Sequence, residues 1–124
     1  MDWLEAKRQI ENKILVGMDV NSGESKQRKI LKTEHSCNRY DYNGETGFLV
    51  SIGKENNLEI PWSMLEHFFP ALHTPEGYNT PCFRKKYRRQ YENKDCHVHV
   101  VGAIFEKSGV AYYRKEDNAY FIKE

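Results

Sequence analysis

Residues 96–107 read Cys96-His97-Val98-His99-Val100-Val101-Gly102-Ala103-Ile104-Phe105-Glu106-Lys107, and whether they form a helix or a strand decides the fold. As a helix, the stretch places Val98, Val101 and Phe105 on one side, with Gly109 as its stop. As a strand, it alternates Val98, Val100 and Ile104 around a flexible Gly102. The helix is the preferred reading and the strand its competitor.

Downstream, 110–114 and 119–122 flank a polar Glu116-Asp117-Asn118 turn and read as a β-hairpin. Upstream, Thr80-Pro81 opens a helix over about 81–92: threonine caps, and proline in the first turn lacks only an N–H that has no helical partner. Phe83, Tyr87 and Tyr91 follow at four-residue spacing and face inward. Further upstream, Ser63 and Glu66 have capping-box spacing, Met64, Leu65, Phe68 and Phe69 face the core, and Pro70 limits the helix. The expected core is Trp62, Leu65, Phe68, Phe83, Tyr87, Val101 and Phe105.

The N-terminal half adds one helix and a few strands. Over 2–15, Trp3, Ala6, Ile10 and Ile14 mark one helical face, with Gly17 placed to terminate it. Residues 21–26 are small and polar and read as a loop. The stretch 27–40 lacks a clean period and is read as a strand. Asn43-Gly44 makes a turn, since both residues tolerate positive φ. Phe48, Val50 and Ile52 alternate as a strand, 54–57 turns the chain, and 58–60 returns as its antiparallel partner.

These elements describe a single α+β domain over 1–124, a small antiparallel sheet with helices. Three helices followed by a β-hairpin, over about 62–123, resemble in order the elements of a winged helix-turn-helix. This likeness is one of architecture, and no family motif accompanies it.

With 124 residues, the chain has room for one core but too few for a second independent one. Its 13% aromatic content argues for a packed interior, and its net charge of +1 excludes anion binding by bulk basicity. Met1-Asp2-Trp3-Leu4-Glu5 lacks a basic stretch leading into an apolar run, and the longest nearly apolar stretch, 100–105, is far short of the roughly 20 residues of a membrane span. Cys37, Cys82 and Cys96 are odd in number and widely spaced, which fits reduced thiols. A cytoplasmic protein without membrane attachment is expected.

Charge, however, is segregated. Arg84-Lys85-Lys86-Tyr87-Arg88-Arg89 places five cations in six positions, and with Lys94 the segment 79–95 carries +4 against −3 for the rest of the chain. On one helix, Arg84 and Arg88 share a flank and Lys85 and Arg89 the next, so like charges repel unless a polyanion lies along them. Arginine also suits bidentate phosphate contact. Arg84, Lys85, Lys86, Arg88, Arg89 and Lys94 are therefore the candidate nucleic-acid-binding residues, with DNA favoured over RNA. The helix at 96–107 offers only Lys107, His97 and His99 as polar readers, so binding should be mostly to phosphates.

Two other classes compete. The same basic and aromatic surface could meet an acidic protein partner, or the arginines could simply pair with carboxylates elsewhere on a solvated face. His35, Cys37, Cys96, His97 and His99 are metal-competent, and on a strand His97 and His99 would point to one side. Zinc-type spacings are absent, however, and the acids are scattered. A metal-assisted hydrolase is the least favoured reading; no metal, cofactor or catalytic residue is expected, and the oligomeric state is left open.

Overall fold

The computed structural model of the chain describes residues 1–21 and 27–124. Apart from Asn21, the loop expected at 21–26 lies outside the described residues. Helix α1 (Trp3–Lys13) begins where the Asp2 carboxylate accepts from the Glu5 amide, and it buries Ala6 and Ile10. It ends at Ile14, which is extended, so Gly17 is not its cap. Gly17, at φ +87°, instead turns the chain so that its amide donates to the Ile30 carbonyl at 2.7 Å.

Strands β1 (Arg28–Cys37), β2 (Glu45–Ile52) and β3 (Asn57–Pro61) form an antiparallel sheet in that order. Asn43 and Gly44 both take positive φ in the β1–β2 connection, as their sequence predicts. The missing period of 27–40 also has a cause. The register of β1 against β2 shifts between Ile30 and Lys32 and again between Lys32 and His35, and each shift interrupts the alternation of faces.

The C-terminal half runs α2 (Trp62–Phe68), a 3₁₀ turn (Pro70–His73), β4 (Tyr78–Asn79), α3 (Thr80–Lys86), α4 (Arg88–Asn93), α5 (His97–Lys107), β5 (Ala111–Arg114) and β6 (Ala119–Ile122). The expected hairpin is β5–β6. Strand β4 has only two residues, too short for a periodic signal, and it joins the hairpin to make a second antiparallel sheet ordered β4-β6-β5. The α+β class stands, with two three-stranded sheets where one small sheet was expected.

Helix α5 is the centre of the structure. It packs against α1, α4, β3 and β5, and it buries Val98, Val100, Val101, Ala103, Ile104 and Phe105. Its apolar residues run all the way round because it has neighbours on several sides, which is why helical and strand periods both fitted. Gly102 is no hinge: a Cβ there would overlap the Tyr120 ring. At its end, the Gly109 amide bonds to the Glu106 carbonyl and the Val110 amide to the Phe105 carbonyl, closing a Schellman cap with Gly109 at φ +80°.

Four expectations are corrected. The helix expected at 81–92 is two helices, because Tyr87 leaves helical geometry at φ −122°, ψ 58°. The bend keeps the Tyr87 ring against Phe68 and Phe83, at 5.7 and 5.6 Å between centroids, while Gln90 turns inward. Asn79, not Thr80, caps α3, with its side-chain oxygen accepting from the Cys82 amide at 2.9 Å. Ser63 does not cap α2: Pro61 occupies the cap position, and the Ser63 hydroxyl donates to Glu45 at 2.7 Å. Leu65, Phe68, Phe83, Val101 and Phe105 are fully buried, whereas Trp62 and Tyr87 are half-buried at the margin of the core.

Candidate functional site

The bend at Tyr87 reshapes the basic cluster. Instead of two straight flanks, the cations fan out around the junction of α3 and α4. Lys86, Arg88 and Arg89 line a cavity of about 420 Å³, open to solvent and closed on the far side by Tyr40, Asp41 and Tyr42 from the β1–β2 connection and by Glu45 at the start of β2. Arg84 and Arg88 therefore do not share a flank. Arg84 lies over the Tyr91 ring at 5.8 Å, away from this cavity, and Lys85 is exposed. Lys94 is half-buried beyond Tyr40, beside a separate cavity of about 100 Å³.

The wall opposite the cations is held from below. Glu59, buried on β3, accepts from the Asn38 amide at 3.0 Å, the Arg39 amide at 2.9 Å and the His35 ring at 2.6 Å. Burial alone would raise the Glu59 pKa, but the Arg39 amide, His35 and the Asn38 amide outweigh it and hold the carboxyl below its ordinary range. The turn so fixed carries Tyr40, whose hydroxyl accepts from the Asn93 side chain at 2.7 Å, and Tyr42, whose hydroxyl accepts from Gln90 at 3.2 Å. Two tyrosines thus tie the hairpin turn to α4. Tyr42 is nearly buried, and burial pushes its hydroxyl pKa up, so the phenol stays neutral.

Charge balance in the cavity is mixed. Arg88 pairs with Glu92 at 2.9 Å along α4, and Arg89 sits 3.6 Å from Asp41 and over the Tyr40 ring at 5.1 Å. Both ion pairs are well exposed, so each is worth about 0–1 kcal/mol and exchanges readily for a competing anion. Glu45 is occupied by Ser63. Among the described residues, no ion pair engages Lys85 or Lys86.

The metal-competent residues do not assemble. His97 and His99 lie on a helix, so the shared strand face required for one ion is lost. The His97 ring donates from Nδ1 to the Lys94 carbonyl at 2.6 Å, and the His99 ring meets the Tyr120 hydroxyl at 3.3 Å. His35 belongs to Glu59. Burial pushes the Cys37 thiol up to about 12 and raises Cys82 and Cys96 as well, so none is poised as a thiolate nucleophile. Among the described residues, no group of three or more His, Cys, Asp or Glu could hold a metal ion, and no helix is long and apolar enough to cross a membrane.

Tyr40, Asp41, Tyr42 and Asn93 were not singled out from sequence. The only local signal was a Tyr-Asp-Tyr run beside the Asn43-Gly44 turn; its contact with Gln90 spans 48 positions. In comparison with protein-family models, curated proteins and solved structures, the chain has no match.

Proposed function

We propose that the protein is a nucleic-acid-binding module that holds phosphates on the cations around the α3–α4 bend, with duplex DNA as the favoured partner. The observation that carries this reading is the convergence of Lys86, Arg88 and Arg89 on one open cavity walled by tyrosines, with Lys85 exposed on the same helix as Lys86. Guanidinium groups offer paired donors to phosphate oxygens, and the weak ion pairs to Asp41 and Glu92 yield to a polyanion that releases counterions.

The order of elements supports the same reading. A helix, a short strand, a helical pair, a further helix and a hairpin, with the short strand paired to the second hairpin strand β6, resemble in order the elements of a winged helix. The departure is in the helix before the hairpin. In a winged helix that element enters the groove, whereas α5 is buried here and has no free face for bases. Contact then falls to α3 and α4, whose cations address the backbone and not base edges. Such binding is strong in low salt and nearly indifferent to sequence. Titrating two unrelated duplexes across a salt series tests it: similar affinities and a steep salt slope are expected, and absence of binding at low salt overturns the reading.

A further inference from the structure

A second cavity lies on a different wall of the molecule. Arg28 opens β1, and its residue is only 4% exposed. No ion pair or side-chain hydrogen bond engages its guanidinium among the described residues. The stem of Arg28 is packed, but its guanidinium nitrogens are not fully buried and keep contact with solvent, where an entering anion can replace water. Arg28 also lines a cavity of about 230 Å³ together with Thr80, Tyr91, Asp95, Cys96 and His99. Hydroxyl groups from Thr80 and Tyr91 bring neutral donors to this wall.

From this geometry we infer that the cavity between β1 and the α4–α5 junction binds a small oxyanion, a carboxylate or phosphate group, with the Arg28 guanidinium as its counter-ion. The groups around it leave that role open. Burial keeps the Cys96 thiol protonated even beside Arg28, so the thiol supplies no negative charge. Asp95 is exposed on the rim and makes no ion pair with Arg28, so it does not neutralise the charge but weakly repels an incoming anion. One fixed cation, hydroxyl donors and a single rim carboxylate favour a compact, singly or doubly charged ligand over a polyanion. None of the cations at the α3–α4 bend lines this cavity, although Arg84 lies over the ring of its Tyr91 wall at 5.8 Å.

The test is thermal unfolding of the full chain with inorganic phosphate or sodium acetate replacing chloride at fixed ionic strength. One of the two anions should raise Tm by several degrees in a saturable manner, since a ligand bound only to the folded state stabilises it, and the anion that acts identifies the group recognised. Asp95→Asn, which removes the rim repulsion, should saturate at a several-fold lower concentration. Arg28→Met should abolish the response, because the cation that the anion meets is gone. If Arg28→Met fails to fold, the Arg28 Nε–H resonance of the unaltered protein provides the readout, and it should shift saturably with the active anion. A wild-type Tm that neither anion changes, an equal response in Arg28→Met, or an unmoved Arg28 resonance would each overturn the inference.

Discussion

The Gln90 side-chain amide donates to the Tyr42 hydroxyl at 3.2 Å with both residues nearly buried, and this bond joins the basic helix α4 to the hairpin turn facing it. Removing the hydroxyl leaves a buried amide donor without an acceptor. Tyr42→Phe should therefore destabilise the fold by about 1–3 kcal/mol, read as a lower urea midpoint at unchanged slope. An unchanged midpoint would show that the turn and α4 are not coupled through this pair.

Gly102 gives a prediction against intrinsic propensity. Alanine favours a helix interior over glycine by about 1 kcal/mol. At this position, however, the added methyl meets the Tyr120 ring, which is fully buried and cannot move aside freely. Overpacking of this kind costs about 1–3 kcal/mol, so Gly102→Ala should lower Tm. A rise in Tm would mean that Tyr120 can be displaced and that α5 is packed more loosely than its burial indicates.

Burial of Phe68 and Phe105 yields a larger effect. Both are fully buried, and truncation to alanine should cost about 3–5 kcal/mol each in equilibrium unfolding. Losses below 1 kcal/mol would contradict the placement of the core around α5.

Three titrating groups, in two pH ranges, set the pH dependence. Burial lowers the His97 pKa below its ordinary value near 6.5, so the unfolded chain takes up the proton first. Stability from this group is present above about pH 6.5 and is lost as pH falls below it; burial gives His67 the same sign. Glu59 is also held low by its hydrogen bonds, so its contribution is present above about pH 4.5 and is lost as pH falls through its folded value. Unfolding free energy measured from pH 7 to pH 3 should decline in two stages. His97→Phe should flatten the upper stage and Glu59→Gln the lower; a variant with an unaltered profile would exclude that group as the cause.

How far the sequence was legible depended on the range of each interaction. Elements set by local chemistry were readable: the α1 face, the Asn43-Gly44 turn, the β5–β6 hairpin and the Gly109 stop all follow from near neighbours. Elements set by distant partners were not. Strand β4 exists because Tyr78 and Asn79 pair with Tyr120 and Ala119, and Ser63 leaves its capping role because Glu45 lies beside it. The bend at Tyr87 belongs to the same class, since a regular spacing of Phe83, Tyr87 and Tyr91 promises an unbroken helix until Phe68 and Tyr42 take up their positions. For the candidate site, the cations were visible as a run, but the tyrosine wall that makes them one side of a cavity was not.

The most direct measurement compares the unaltered protein with a variant carrying Arg84→Gln, Lys85→Gln, Arg88→Gln and Arg89→Gln in binding to two unrelated DNA duplexes across a salt series. Glutamine preserves helix propensity and the lost ion pairs are exposed, so Tm should change little. Affinity should fall about equally for both duplexes, and the log–log salt slope should shrink by roughly 0.9 for each phosphate contact removed. Superimposable binding curves for the two proteins would contradict phosphate recognition at the α3–α4 bend.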